Sequence, residues 1–226
     1  MFKVLIRVTA DAAFIAIVMF VAAGTLAWQR AWILVAVLFV VRTVSAIVVF
    51  RVNPALLRER AAVLVHPHQP LIDRVLLLAF MGTAFVGVPA VAALDVFRWH
   101  VLPSPPLVLA SAGFALFVVG WTIIGVALRE NTFAVTVVRH QEERQHTVVT
   151  TGIYSVVRHP MYAGNLLVNV GLSLWLGSYV AALFAAIPLA LLMVRIALEE
   201  RFLLRELSGY GEYAARVPYR LLPGFW

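Results

Sequence analysis

"PMYAGNLLVNVGLSLWLGSYVAALFAAIPLALLMV", residues 160–194, runs for 35 positions without a charged side chain. A bilayer's hydrocarbon core is about 30 Å thick and a helix rises about 1.5 Å per residue, so one crossing takes about 20 residues. The run is too long for one crossing and suits two short ones, with "LGSYV" at Leu176 to Val180 as the turn. Pro188 falls inside the second, where neighbouring helices can satisfy a freed carbonyl. Outward from this pair, Ala12 to Trp28, Val75 to Leu94 and Leu107 to Leu128 are uncharged, and Ala31 to Phe50 is broken only by Arg42. The expected fold is therefore all-α: a polytopic membrane bundle of about six transmembrane helices ending in a C-terminal helical hairpin.

Composition agrees. Of 226 residues, 63% are hydrophobic and 13% charged, with a mean hydropathy of +0.95. A soluble globule of this size needs more charged surface, whereas a bundle in lipid exposes apolar side chains without penalty. The net charge of +7 reads in this setting as loops facing anionic lipid rather than as a nucleic-acid surface. The absence of cysteine excludes disulfides, thiolate metal sites and cysteine nucleophiles. Lys3 and Arg7 precede an apolar run that reaches Trp28, which is long enough to be kept as a span rather than removed as a signal.

Orientation follows from basic residues. With both termini cytoplasmic, 14 of the 18 arginines and lysines lie inside, Arg30 and Arg98 lie outside, and Arg42 and Arg195 fall within spans. This bias decides the topology and puts the 51–74 loop, the 129–159 loop and the tail after Glu199 on one side. The chain divides by chemistry into N-terminal transmembrane helices, 1–106, and a core, 107–226, that carries nearly all the unusual polar placements.

Three stretches of that core stand out. In "YSVVRHPMYAG", Tyr154 to Gly164, the residue before Pro160 is pushed out of the α region and proline suits a first helical position, so His159-Pro160 marks a helix start. In "RIALEE", Arg195 lies about one turn inside the apolar run and pairs by spacing with Glu199, while Glu200 points about 100° away. An arginine at that depth is expensive and is by default a functional candidate, the alternative being one that snorkels to the headgroups with an ordinary salt bridge to Glu199. The tail carries Phe202, Leu203, Leu207, Tyr210 and Tyr213 among charges, the pattern of a helix lying on the inner leaflet. His140, His146 and His159 match no metal-ligand spacing, so no metal is expected. Neither a G-x-S-x-G elbow nor a phosphate-binding glycine loop is present.

Taken in order, "HTVVTTGIYSVVRHPMYAG", "RIALEE" and "GYGEYAARVPYRLLPGFW" resemble the isoprenylcysteine carboxyl methyltransferase family and its relatives the phospholipid N-methyltransferases. "RVNPALLRERA", Arg51 to Ala61, is similar to the preceding loop of bacterial members, which implies a bacterial inner membrane. The resemblance implies an integral membrane methyltransferase that uses S-adenosylmethionine at the cytoplasmic face and takes a lipid-like acceptor from the bilayer, with no nucleic-acid partner. Carried over by position, it makes His146, Val148, Val149, Gly152, Tyr154, Arg158, His159, Pro160, Tyr162 and Gly164 cofactor-loop candidates. It also makes Glu199 and Glu200 candidates for the cofactor's ribose or amino group, and Arg195 for the acceptor's head group. A carboxylate acceptor, which the intramembrane arginine favours, needs no general base; an amine acceptor would need Glu199 or His159. The competing expectations are an NADPH-dependent reductase of a membrane sterol or other enone, which shares the R-H-P-x-Y turn and the "VPYR-x-x-P-G" tail, and a non-catalytic membrane protein.

Overall fold

The structure is a computed structural model that describes residues 1–62, 70–131, 133, 147–224 and 226, with only the backbone of residues 58, 59, 61 and 62. Among the described residues it is all-helical. The helices are α1 (Phe2–Ala23), α2 (Gln29–Val52), α3 (Pro54–Ala62), α4 (Leu71–Trp99), α5 (Leu107–Glu130), α6 (Pro160–Leu176), α7 (Tyr179–Glu206) and α8 (Tyr210–Arg216). Two stretches of α4, Gly82–Gly87 and Asp95–Trp99, are wound as π-helix.

Five of these helices, α1, α2, α4, α5 and α7, are long and apolar enough to cross a membrane. The sixth expected crossing, α6, has 17 residues, about 25 Å at 1.5 Å per residue. Its length is set at both ends: Pro160 opens it, and Gly177, at φ 100°, closes it. Its faces are turned largely toward protein, with ten residues from Pro160 to Leu176 buried. Its polar side chains spend their donors on the helix itself: Asn165 Nδ2 donates to Met161 O, Asn169 Nδ2 to Asn165 O and Ser173 Oγ to Asn169 O, each at 2.8 Å. The hairpin turn falls where "LGSYV" puts it, with Ser178 Oγ capping α7 by accepting from Ala181 N at 2.9 Å.

Helices α5 and α6 touch backbone to backbone. A Cβ added at Gly120 would lie 2.6 Å from Gly164 O, and one at Gly171 would lie 2.5 Å from Gly113 O. Any side chain at these four positions would push the helices apart, so the approach depends on glycine. Gly164, a cofactor-loop candidate by the family resemblance, sits in this seam. One apolar core draws on α1, α2, α4, α5, α6 and α7, including Met19, Leu34, Ala92, Phe117, Leu172 and Ala181. At its edge, α1 and α2 leave an apolar groove between them lined by Ala12, Ala16, Phe20, Trp32 and Phe39.

The first span differs most from expectation. It begins at Phe2 rather than Ala12 and ends at Gly24, a left-handed cap at φ 72°. Asp11, whose charge seemed to end the apolar run, is kept inside the helix by two arginines: Arg7 Nε donates to Oδ1 at 3.0 Å and Arg42 Nη2 to Oδ2 at 2.7 Å.

Candidate functional site

Where α6 begins and α7 ends, three chain segments converge on one carboxylate. Arg158 Nε donates to Glu200 Oε1 at 2.6 Å, His159 Nε2 lies 3.1 Å from the same oxygen, and Arg220 Nε donates to Oε2 at 2.7 Å. Arg158, His159 and Glu200 are all buried. The backbone ties the same segments together, since Arg158 N donates to Tyr219 O at 3.0 Å and His159 N to Arg220 O at 2.9 Å. Arg158 Nη1 also reaches Val217 O at 2.6 Å and Pro218 O at 3.0 Å. The tail is thus fastened to the "RHP" turn and to α7 by charge-assisted hydrogen bonds, the stronger class.

One residue earlier on α7, the chemistry changes. Glu199 is turned away from this cluster by the helical step and accepts from Tyr162 Oη at 2.7 Å. It is half-buried, and among the described residues the tyrosine is its only hydrogen-bond partner, leaving capacity on a group with about four acceptor sites. The Tyr162 ring is stacked against His159, centroids 5.5 Å apart, and carries the Arg195 guanidinium 5.9 Å from its centroid. Arg195 does not take Glu199 as its partner, as helical spacing suggested. Its Nε donates to Asp73 Oδ1 at 2.9 Å, both side chains buried. The reason is steric order: α4 packs against α7 and brings the Asp73 carboxylate to a guanidinium that lies between the two helices.

The wall beside this pair is built from the loop before α6 and from the tail. Gly152, at φ 57°, makes the turn that lets Ile153 N donate to Glu130 Oε2 at 2.7 Å; a Cβ there would collide with that carboxylate. Tyr213 Oη donates to Tyr154 O at 2.7 Å. Val148 packs on the cluster of Leu207, Tyr210, Tyr213 and Val217. Burial is the largest cause pushing the phenols of Tyr154, Tyr210 and Tyr213 up, the last to about 12. All three are therefore neutral hydrogen-bond donors near neutral pH.

Of the residues expected from the sequence, the structure brings together Arg158, His159 and Glu200 in one cluster and Tyr162, Glu199 and Arg195 in a second beside it. Pro160 is the first residue of α6, Tyr154 and Val148 line the adjoining wall, Gly152 makes its turn, and Val149 is half-buried next to Val148. Gly164 lies in the helix seam, and His146 falls outside the described residues. Asp73, Glu130 and Arg220 were not foreseen, and Tyr213 was expected only as part of the tail's apolar face. For Asp73 a signal existed, an acidic side chain in the first turn of a span in "LIDRV", but nothing local names its partner 122 residues away.

Residues 108–209 match the phospholipid methyltransferase family. The chain is 37% identical to protein-S-isoprenylcysteine O-methyltransferase B of Arabidopsis thaliana over 84 residues, 36% of this chain and 42% of that protein. It is 33% identical to the cobalt-zinc-cadmium resistance protein CzcN of Cupriavidus metallidurans over 126 residues, 54% of this chain and 52% of that protein. With the protein-S-isoprenylcysteine O-methyltransferase of Schizosaccharomyces pombe the identity is 33% over 84 residues, 36% of each chain. The chain thus spans about half or less of the length of the curated relatives it matches. Its fold is like that of a solved eukaryotic intramembrane Ras methyltransferase, an isoprenylcysteine carboxyl methyltransferase, with a TM-score of 0.53 and 22% identity over 92% of this chain and 73% of that one.

Proposed function

Through residues 108–209 the chain belongs to the family of membrane methyltransferases that takes in the phospholipid and isoprenylcysteine carboxyl methyltransferases, and from that premise we propose that it is an S-adenosylmethionine-dependent methyltransferase acting on the head group of a lipid-like acceptor. The observation that carries this reading is the Tyr162–Glu199 pair beside Arg195, a half-satisfied carboxylate and a buried guanidinium side by side at the polar end of an apolar bundle. In our reading α6 is the sixth crossing, both termini are cytoplasmic, and 107–226 forms the catalytic core.

The donor set fits the cofactor. Glu199 has acceptor capacity for an ammonium or for ribose hydroxyls. S-adenosylmethionine, when bound, supplies an activated methyl group. What the chain supplies is placement and exclusion of water, which account for much of the acceleration in a displacement that needs no protein nucleophile. Arg195, held by Asp73, orients an acceptor carboxylate. A carboxylate is already the nucleophile, so this acceptor class, which we favour, needs no base; an amine acceptor would give its proton to Glu199 or His159. We assign Glu200, with Arg158, His159 and Arg220, to holding the tail over the cofactor pocket; Val148, Val149, Gly152 and Tyr154 shape its wall.

Binding of radiolabelled S-adenosylmethionine to the detergent-solubilised protein tests the proposal, with NADPH as competitor. We expect saturable binding that NADPH does not displace. Binding of NADPH alone would instead establish the reductase reading.

A further inference from the structure

We propose that Arg42, braced by Asp11 and stacked on Trp121, is a binding site for a lipid oxyanion, a phosphate or carboxylate, separate from Arg195. This inference does not require methyl transfer.

Arg42 lies on the face of α2 that carries the buried residues Leu38, Ala46 and Val49, so it points into the bundle rather than toward lipid. It is ten residues from the end of α2, about 15 Å along the helix axis. Its guanidinium sits 5.1 Å from the centroid of the Trp121 ring on α5. Of its five N–H groups, the only hydrogen bond among the described residues runs from Nη2 to Asp11. Asp11 is itself shared with Arg7, so two cations meet one carboxylate and a positive charge is left over.

A second observation points to the same ligand class. Trp121 is nine-tenths buried, and its Nε1, a group that can only donate, has no partner. An unmade hydrogen bond at this depth is costly, and an arginine with idle donors more so. An indole N–H and the open donors of a planar guanidinium call for acceptor oxygens carrying negative charge, which arginine takes in bidentate fashion. Snorkelling to the interface would leave Arg42 without its hold on Asp11 and Trp121, and the structure shows both contacts made. The oxyanion has two possible sources: the acceptor itself, or a bilayer phospholipid that completes the chamber.

Calorimetric titration of the full chain in neutral detergent, without S-adenosylmethionine, tests the site. The probes are dioctanoyl phosphatidic acid, decanoate and the uncharged dioctanoylglycerol. We expect the two anions to bind and the diacylglycerol not to. Arg42→Gln should weaken both anions at least tenfold, and Trp121→Phe, which keeps the ring, by about threefold to tenfold. Arg42→Lys, which keeps the charge but loses the fork, should fall between. Equal binding of dioctanoylglycerol, or unchanged affinity in Arg42→Gln, overturns the proposal. If Arg42→Gln does not fold, unchanged affinity in both Arg42→Lys and Trp121→Phe does so. Loss of anion binding in Arg195→Ala with retention in Arg42→Gln overturns it as well, by moving the anion to the transfer site. In phosphatidylcholine vesicles, a raised KM for the acceptor in Arg42→Gln assigns the oxyanion to the acceptor. Loss of activation by phosphatidic acid, with KM unchanged, assigns it to a lipid. Because the titration omits the methyl donor, its failure leaves the methyltransferase reading standing, and failure of that reading leaves this site testable.

Discussion

The two ends of the bundle both bury polar groups, and they use them oppositely. At the far end, Asp95 accepts from Ser178 Oγ at 2.6 Å and from Val101 N at 3.1 Å. Arg30 and Trp175 exchange hydrogen bonds with each other's backbone, Arg30 Nη1 to Trp175 O at 3.3 Å and Trp175 Nε1 to Arg30 O at 2.8 Å. These bonds stitch α2, α4, α6 and α7 together. At the site end, Glu200 is answered three times while its neighbour Glu199 has one tyrosine. A polar cluster that closes on itself holds helices; one that stays partly open can hold something else.

Substitutions can break this contrast, and the largest effect is expected at Glu200. Glu200→Ala strands Arg158 and its neighbours without their carboxylate, which should cost about 3–5 kcal/mol. It should lower the thermal midpoint in detergent and release the tail to limited proteolysis. Next, Asp95→Ala at the far end should cost about 1–3 kcal/mol while methyl transfer per folded molecule stays unchanged; a selective loss of turnover there would erase the distinction between the ends. Glu199→Ala should act in the opposite sense, weakening S-adenosylmethionine about tenfold, the value of one charge-assisted bond, with little change in thermal midpoint. Calorimetry on the variant decides, and unchanged affinity would remove Glu199 from the cofactor site. Arg195→Ala should chiefly lower turnover.

The smallest effect is alkaline. The folded pKa of Tyr213 is raised from 10 to about 12, with burial its first cause. Its contribution to stability is therefore complete below pH 10 and is lost as pH rises from 10 toward 12. Tyr213→Phe should cost about 1 kcal/mol near neutrality by losing the bond to Tyr154 O and should flatten the decline in thermal midpoint above pH 10. An unaltered slope would show that the phenol is not the titrating group.

Much of this was legible in the chain because it is local. An uncharged run of 35 residues, a glycine-serine turn and a proline after histidine each carry their own instruction, and α6 and α7 follow them. Arg195 and Glu199 were visible as residues, but Arg195 took a partner from α4 instead of from its own helix, and no spacing rule reaches across 122 positions. The same holds for Glu200, whose companions lie 42, 41 and 20 residues away. Asp11 misled directly: a carboxylate in an apolar segment reads as an end until the helix that neutralises it is known.

The glycine seam between α5 and α6 has a mechanical consequence. With backbones in contact at Gly113 and Gly171 and again at Gly120 and Gly164, these two helices cannot slide or part without losing two turns of close fit, so they move as one beam. Any breathing that admits a bulky guest sideways from the bilayer then falls to other helix pairs, such as α1 and α2, which leave an apolar groove between them.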